Sequence, residues 1–125
     1  MSGAMIGIGT DLVELDRFRL AVARTPKIVD RLFTADERAY AELRNDPTER
    51  YAARFAAKEA VLKAMSAGIG ECAFRDIEVV RAESGAPSVR LHGKAAELAS
   101  SRGVTEWRLT MSHTESLAQA IAVAL

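Results

Sequence analysis

The segment that most constrains the fold is residues 49–66, which predicts the longest helix of the chain. It is rich in Ala, Arg, Lys, Glu and Leu, and Gly68 follows it as a residue able to take the left-handed conformation at a helix end. At about 100° per residue, Glu59 falls on a mostly apolar face, and a buried carboxylate needs a partner. The other members of that face are Ala52, Phe55, Ala56 and Leu62.

A second acidic residue, Asp11, closes a short strand predicted over residues 5–11. Gly7 and Gly9 punctuate this strand, a pattern typical of a backbone that another group approaches closely. Together Asp11 and Glu59 predict a divalent metal beside phosphate-binding cations. The alternative for Asp11 is a helix N-cap or a surface carboxylate at the end of a strand.

The first half of the chain predicts further helices. A short helix around Phe18 is interrupted at Thr25–Pro26, where Thr as N-cap and Pro as first helical residue favour a restart. The capping-box spacing of Thr34 and Glu37 predicts a helix that runs to about Arg44, and Asn45–Pro47 then turns the chain.

After Gly70 the hydrophobic period changes, which indicates strands. A hairpin with its turn at 84–87, a short helix closed by Gly103 and two further strands are predicted. Their ranges are 76–82 and 88–92 for the hairpin, 94–102 for the helix, and 107–112 and 117–125 for the strands.

These elements predict a single α+β domain, residues 5–125, with an antiparallel β-sheet packed against the long central helix and helices clustered in the first half. Residues 1–4 are expected to be an N-terminal extension. The start of the chain has neither a basic stretch nor an apolar core, so no secretory signal is expected, and no apolar run approaches the roughly 18 residues of a membrane span. Cys72 is the single cysteine, which favours a reducing cytoplasm and a packing role.

Seventeen basic residues balance seventeen acidic ones, so net charge indicates no partner, but the cations cluster between residues 17 and 31. This segment contains five cations and one anion, Asp30. The excess of positive charge predicts a docking surface for an acidic partner. Ordinary solvated arginines are the alternative. Arg17, Arg24 and Arg31 would align only on a continuous helix, which Pro26 interrupts. The five cations are Arg17, Arg19, Arg24, Lys27 and Arg31.

The long helix carries its own line of cations, Arg50, Arg54 and Lys58, at i, i+4 and i+8. Each neighbouring pair of like charges costs roughly 0.2–0.5 kcal/mol, a cost that a bound phosphate would relieve. Carboxylates from elsewhere in the fold are the alternative partners. Lys63 lies one turn after Glu59, so it predicts either an i, i+4 ion pair or a contact with a substrate phosphate.

Mg²⁺ suits this combination, because it takes one or two carboxylates and completes its shell with water and substrate phosphate. His113 lies at a strand end, where a histidine is either structural or in contact with substrate. His92 precedes a glycine at another strand end and is the weaker candidate.

The order of these motifs resembles the holo-[acyl-carrier-protein] synthases, the short type of 4'-phosphopantetheinyl transferase, from Met5 to the C-terminus. The most specific match is the RFAAKE block, residues 54–59, with the upstream Gly-Thr-Asp of residues 9–11. The further matching segments are 68–70, 74–78, 85–87 and 112–114.

The resemblance implies the 4'-phosphopantetheinyl transferase fold and transfer of 4'-phosphopantetheine from coenzyme A to a serine of apo acyl carrier protein, releasing adenosine 3',5'-bisphosphate. Asp11 and Glu59 match the Mg²⁺ ligands, and Glu59 and Lys63 are the expected catalytic residues. The general base stays open between Glu59 and a metal-bound water. Residues that match coenzyme A contacts are Arg54, Lys58, Lys63, Gly68, Pro87 and His113.

The same resemblance implies a homotrimer that holds coenzyme A between subunits, with His113 and the 85–87 turn supplied by the adjoining protomer. It also implies a cytoplasmic role in fatty acid biosynthesis. Acyl carrier proteins are acidic, so Arg17 and Arg24 are the expected docking residues. The competing interpretations are a module that binds coenzyme A without transfer, and a nucleic-acid binder, which neutral charge and the lack of aromatics among the cations disfavour.

Overall fold

A computed structural model describes residues 4–125, so the proposed extension, residues 1–4, lies mostly outside the described residues. Within these residues there are five strands, five α-helices and a short 3-10 helix (Phe74–Asp76), with four of the α-helices in the first half as predicted. In chain order the strands and α-helices are β1 (Gly7–Glu14), α1 (Leu15–Arg24), α2 (Ile28–Leu32), α3 (Ala35–Ala41), α4 (Thr48–Ala64), β2 (Ile77–Arg81), β3 (Pro87–Leu91), α5 (Gly93–Ser101), β4 (Trp107–His113) and β5 (Leu117–Ala124). No helix among residues 4–125 is long and apolar enough to cross a bilayer.

The strands form two antiparallel sheets rather than one. β1, β5 and β4 pair in that order, so the apolar C-terminal segment is central as predicted. The predicted hairpin forms a separate two-stranded sheet of β2 and β3, with Gly85 at φ 89° in the turn. The α+β prediction is confirmed.

Small side chains let α4 pack closely against the three-stranded sheet. On β5 every second residue is a buried alanine, from Ala118 to Ala124, as expected for a strand with one face on the core. On α4 the facing residues are also small, among them Ala56 and Ala60, both fully buried. Alanine against alanine brings the two backbones near each other, which makes α4 the centre of the core.

The glycines of β1 bring that strand even closer to α4. A Cβ at Gly7 would lie 1.8 Å from the carbonyl oxygen of Ala64, and one at Gly9 would lie 2.0 Å from that of Ala60. No real Cβ comes so near a backbone oxygen, and backbone cannot turn aside as a side chain can. The predicted close approach at Gly7 and Gly9 is therefore confirmed, and the approaching group is α4.

A buried ion pair joins α3 to α4. The Thr34 and Glu37 capping box forms as predicted, with Glu37 Oε1 accepting from the Thr34 amide at 2.9 Å. The same oxygen accepts from Lys58 Nζ at 2.9 Å, and Glu37 Oε2 accepts from the Val79 amide at 2.8 Å. Lys58 and Glu37 side chains are both fully buried, so this carboxylate caps a helix, neutralises a lysine and anchors β2.

A second buried carboxylate, Glu78, extends the polar interior. Thr34 Oγ1 donates to Glu78 Oε2 at 3.0 Å, and His92 Nε2 lies 2.8 Å from Glu78 Oε1. Burial alone would raise the pKa of Glu78, but the bonds from His92 and Thr34 lower it overall. His92, the weaker candidate in the sequence, thus contributes to structure.

Two predicted boundaries at the ends of β1 and α4 are wrong. β1 continues to Glu14 because all eight of its residues pair with β5, so Asp11 lies within the strand, opposite Ala120, and not at its end. α4 ends at Ala64, and Ser66 rather than Gly68 takes the left-handed conformation, with φ 54°. The Ser66 and Ala67 amides donate to the carbonyls of Lys63 and Leu62, a Schellman arrangement that satisfies the last turn.

The early helices are shorter than the sequence predicts. α2 starts at Ile28, since the Ile28 amide donates to the Thr25 carbonyl in a turn; Thr25 is the C-cap of α1, and the N-cap of α2 is Lys27. α3 ends at Ala41 instead of Arg44, and tight turns carry the chain to Thr48.

Replacing Gly9 with alanine tests the contact of β1 with α4. The new Cβ would overlap the Ala60 carbonyl, so we expect the free energy of unfolding to fall by about 3 kcal/mol or more. Gly68→Ala is the matched control, because its Cβ would meet only the Glu71 side chain at 3.6 Å. Chemical denaturation of both variants gives the comparison, and an equal small loss in both would contradict the close packing.

Lys58→Met tests the buried ion pair. The variant leaves Glu37 buried without its cation, and removal of one partner of such a pair costs about 3–5 kcal/mol. Lys63→Met is the control on the same helix, since its ion pair is half exposed and contributes about 1 kcal/mol or less. Denaturation curves that showed the same small loss for both variants would argue against a structural role for Lys58.

Candidate functional site

A cleft of about 590 Å³ opens beside β1 and α4, and Asp11 and Glu59 both line it. The predicted meeting of these two carboxylates from separate segments is thus observed in one cleft. We call it the acidic cleft. Its lining residues are Asp11, Leu12, Val13, Glu14, Arg17, Phe18, Phe55, Glu59 and Leu117.

Lys63 bridges α4 to β1 at the edge of this cleft. Its Nζ donates to the Thr10 carbonyl at 2.9 Å and to Asp11 Oδ1 at 3.2 Å. The i, i+4 partner that the sequence suggested, Glu59, is not within ion-pair distance in the structure; Asp11 takes its place. An ammonium group has three donors and the Lys63 side chain is 53% exposed, so one donor stays available to a ligand.

Glu59 carries the clearest electrostatic signature of the acidic cleft. Burial raises its pKa, the negative charge of Asp11 raises it further, and Lys63 opposes both. The positive charge of Lys63 therefore does not fully compensate for burial and for the negative charge of Asp11. A cation between Glu59 and Asp11 would remove that repulsion, so the pair has the chemistry of a site for a hard divalent metal.

The protein supplies few ligands for such a metal. Residues 4–125 contain no group of three or more His, Cys, Asp or Glu side chains arranged to hold one. Two carboxylates suit Mg²⁺, which retains several waters and takes the remaining oxygens from substrate phosphates. This donor set fits a metal that binds together with a phosphate ligand.

A second cleft, of about 390 Å³, lies at the start of α4 and the end of β4. We call it the basic cleft, since three arginines line it. It brings together Arg54, Pro87 and His113 of the predicted site and shares no lining residue with the acidic cleft. Its lining residues are Tyr40, Arg44, Glu49, Arg50, Ala53, Arg54, Gly85, Pro87 and Thr110 to His113.

The arginines gather around one aromatic ring. The guanidinium carbons of Arg50, Arg54 and Arg81 lie 4.0, 4.5 and 4.5 Å from the centre of the Tyr40 ring. Cation–π contact offsets part of their mutual repulsion, but it removes none of their charge. The cluster therefore keeps a positive field in the basic cleft.

Arg54 is the most buried of these cations, with 5% of its surface exposed. Burial lowers its pKa, the charges of Tyr40 and Glu37 oppose that effect, and Arg50 and Arg81 add to it. Arg54 Nη1 donates a long hydrogen bond, 3.5 Å, to the Arg50 carbonyl. This guanidinium lines the basic cleft and has donors for a bound anion.

His113 faces the same cleft and is held from one side. Its Nδ1 lies 3.1 Å from Glu49 Oε2, while Arg44 Nη1 lies 3.6 Å from Glu49 Oε1. Among residues 4–125, no protein group is hydrogen-bonded to the other ring nitrogen, Nε2, or forms an ion pair with it.

Lys58 and Gly68 lie outside both clefts. All three donors of Lys58 are used, by Glu37, by the Phe74 carbonyl and by the Ile77 carbonyl, and its side chain is fully buried. The prediction that Lys58 contacts a phosphate does not fit this position, because no donor remains. Gly68 lies in the loop after α4, where its amide donates to Glu71.

Arg17 and Arg24 both belong to α1, so their seven-residue spacing places them on one face. Arg17 lies at the rim of the acidic cleft, with its exposed side chain 3.7 Å from Glu14. Arg31 belongs to α2, and the break at 25–27 separates it from this face. A continuous strip of three arginines does not form.

The sequence analysis missed Glu49 and Tyr40. The local pattern around Glu49 is an acidic residue in the first turn of a helix. That pattern is equally typical of an interaction with the helix dipole and of a residue in a functional site. Tyr40 gave no local signal, because its contact with Arg50 and Arg54 crosses from α3 to α4.

Comparisons with known proteins agree with this geometry. The sequence model of the 4'-phosphopantetheinyl transferase superfamily matches residues 7–122. A holo-[acyl-carrier-protein] synthase of Moorella thermoacetica is 42% identical over 95% of this chain and 93% of its own length. One of Clavibacter michiganensis subsp. michiganensis is 47% identical over 94% of this chain and 92% of its own.

Solved structures agree as well. A holo-[acyl-carrier-protein] synthase of Neisseria meningitidis superposes with a TM-score of 0.89 at 31% identity, over 98% of this chain and 99% of that one. The Helicobacter pylori synthase in complex with coenzyme A gives 0.83 at 29% identity, over 94% and 99%.

Proposed function

Because the chain belongs to the holo-[acyl-carrier-protein] synthases of the 4'-phosphopantetheinyl transferase superfamily, we propose that its two clefts handle coenzyme A and transfer 4'-phosphopantetheine to apo acyl carrier protein. The observation that carries the proposal is that Asp11 and Glu59 line one cleft and that Lys63 donates to Asp11. Two carboxylates and a lysine are the parts that phosphoryl-type transfer requires.

Asp11 and Glu59 are the residues that would hold Mg²⁺. The metal, when bound, would neutralise the charge of the coenzyme A pyrophosphate. The raised pKa of Glu59 supports this assignment, since a carboxylate short of positive charge gains most from a cation. Protonation of Glu59 competes with the metal, so metal affinity is expected to fall as the pH drops through the range in which Glu59 titrates.

In the reaction, the serine oxygen of the carrier forms a bond to the β-phosphorus of coenzyme A. The bond from that phosphorus to the departing adenosine 3',5'-bisphosphate breaks, and negative charge grows on its oxygen. The free donor of Lys63 can stabilise that charge. Glu59 is a candidate to accept the serine proton, because it is a carboxylate that lines this cleft.

Arg54, Pro87 and His113 are proposed to bind coenzyme A from the basic cleft, with Gly68 contributing from the loop after α4. The buried guanidinium of Arg54 supports a phosphate contact there. Lys58 is left out of the proposed site, since its donors are used in the core.

A homotrimer is proposed as the working form. In the single chain the acidic and basic clefts are lined by separate residues, so one ligand that needs both would lie between two subunits. The outer face of the three-stranded sheet supports an assembly too, since Ile8 and Leu12 are 60% and 61% exposed there. Such apolar surface is typical of an interface.

The acidic carrier is proposed to dock on α1 through Arg17 and Arg24. Leu20, 55% exposed, lies between them on this helix and adds an apolar contact to the basic face. Opposite charges of this kind chiefly affect association rate and specificity. The cytoplasmic role in fatty acid biosynthesis stays a prediction from the family resemblance.

The proposed activity is tested directly by incubating the protein with apo carrier, coenzyme A and Mg²⁺. Mass spectrometry should show the carrier gaining one phosphopantetheine group. Binding of coenzyme A with no mass gain on several apo carriers would favour the alternative, a module that binds without transfer.

Glu59→Gln and Asp11→Asn should each lower kcat/KM by at least about 100-fold, because each keeps shape while removing charge from the metal site. Glu97→Gln on α5 is the control, an exposed carboxylate that lines neither cleft, and it should retain wild-type activity. Thermal unfolding of all three variants verifies the fold. Near-normal activity of Glu59→Gln at saturating Mg²⁺ would overturn the metal assignment.

Arg24→Glu should raise KM for the carrier about tenfold and leave KM for coenzyme A unchanged, since docking and chemistry use different surfaces. Lys94→Glu, an equal charge reversal at an exposed position on α5, serves as control. The effect should shrink with added salt, which screens exposed charges. Equal increases in both KM values would contradict a separate docking face.

A further inference from the structure

Glu49 is negatively charged, whereas the other charged residues that line the basic cleft are arginines or a histidine. Among the lining residues that the structure describes, it is the one carboxylate, beside Arg44, Arg50 and Arg54. A negative charge at an anion-binding surface lowers affinity unless it has another effect that compensates. Its contacts indicate what that effect is.

The two oxygens of Glu49 have different partners. Oε2 lies 3.1 Å from His113 Nδ1, and Oε1 lies 3.6 Å from Arg44 Nη1. Glu49 belongs to the first turn of α4 and His113 is the last residue of β4, so this contact joins the start of the helix to the end of the strand. The Glu49 side chain is 30% exposed and that of His113 is 53% exposed, so the imidazole keeps one side open to the cleft.

The contact favours hydrogen on Nδ1 of His113 over hydrogen on Nε2. An ionised carboxylate has only acceptor atoms, so at 3.1 Å it repels a lone pair on Nδ1 and attracts an N–H group there. Nε2 is then the atom left to face a ligand, and the ring cannot flip without losing its partner. Carboxylates orient histidine ligands of metals by the same means.

We propose that Glu49 is a positioning residue that orients His113 through Nδ1, so that Nε2 is presented to coenzyme A in the basic cleft. The inference rests on the proposed function, in which His113 binds this substrate. Glu49 itself touches no substrate and acts through the histidine. A role confined to the α4 dipole, through an acidic first turn, is the competing explanation.

A double-mutant cycle separates the two explanations. Glu49→Ala should weaken binding of coenzyme A about tenfold by calorimetry and raise KM without lowering kcat, because the contact serves binding in ground and transition states alike. In a His113→Ala background the same change should alter binding by less than about twofold. Glu49→Gln should recover most of the affinity, since its amide oxygen still accepts from Nδ1.

The tautomer supplies a readout that does not depend on substrate. With ¹⁵N-labelled histidine at alkaline pH, where imidazole is neutral, the wild-type His113 ring should be protonated at Nδ1, and Glu49→Ala should give a mixture. The spectrum of His113→Ala assigns the signal against His92. Glu106→Ala, at an exposed carboxylate that lines neither cleft, should leave the His113 signal and coenzyme A affinity unchanged.

Two results would overturn the inference: an undiminished effect of Glu49→Ala in the His113→Ala background, or a wild-type ring protonated at Nε2. A fall in melting temperature with unchanged coenzyme A affinity would establish the dipole role instead. Failure of the proposed function gives a different result, namely no transfer to any apo carrier by the wild-type protein with the Nδ1 tautomer intact.

Discussion

The contact between β1 and the backbone of α4 is the constraint on which the site depends. Two glycines at alternate positions of one strand allow it, because any side chain there would overlap the carbonyls of Ala60 or Ala64. At this separation Asp11, two residues after Gly9 on the same strand, lines the same cleft as Glu59. Lys63 then spans the short distance to Thr10 and Asp11. A wider spacing would separate the acidic groups and leave Lys63 without these partners.

The rotation of α4 about its own axis matters as much as its distance. Lys58 and Glu59 are consecutive residues, about 100° apart, so one can be inside the core while the other faces a cleft. Lys58 is held by Glu37 and by two carbonyls on the far side of the helix. Burial lowers the pKa of Lys58, and the charge of Glu37 opposes that effect. The charged form of Lys58 in the core therefore depends on Glu37. The buried lysine thereby helps fix the direction in which Glu59 points.

Local sequence patterns were sufficient to predict most helices and strands, but they did not predict which side chains pair with residues distant in the sequence. The alternating apolar residues of β4, the capping box at Thr34 and the glycines of β1 each have a local cause, and each prediction is confirmed. Lys58 looked like one member of a row of surface cations, because its partner Glu37 lies 21 residues earlier and the capping box already explained that glutamate. The end of α4 was misplaced for a local reason, since Ser66 takes the positive φ that Gly68 was expected to have.

The separation of charge between the two clefts has a physical rationale. Glu59 and Arg54 would pair with each other if they lay close together, and that pair would have to be broken before a ligand could bind. In this fold burial disfavours the charged forms of both Glu59 and Arg54, and α4 holds the two side chains in separate clefts. A ligand that carries phosphates and brings a cation supplies what each cleft lacks. The unfavourable electrostatics of the free protein are thus relieved on binding, which favours the complex over the empty chain.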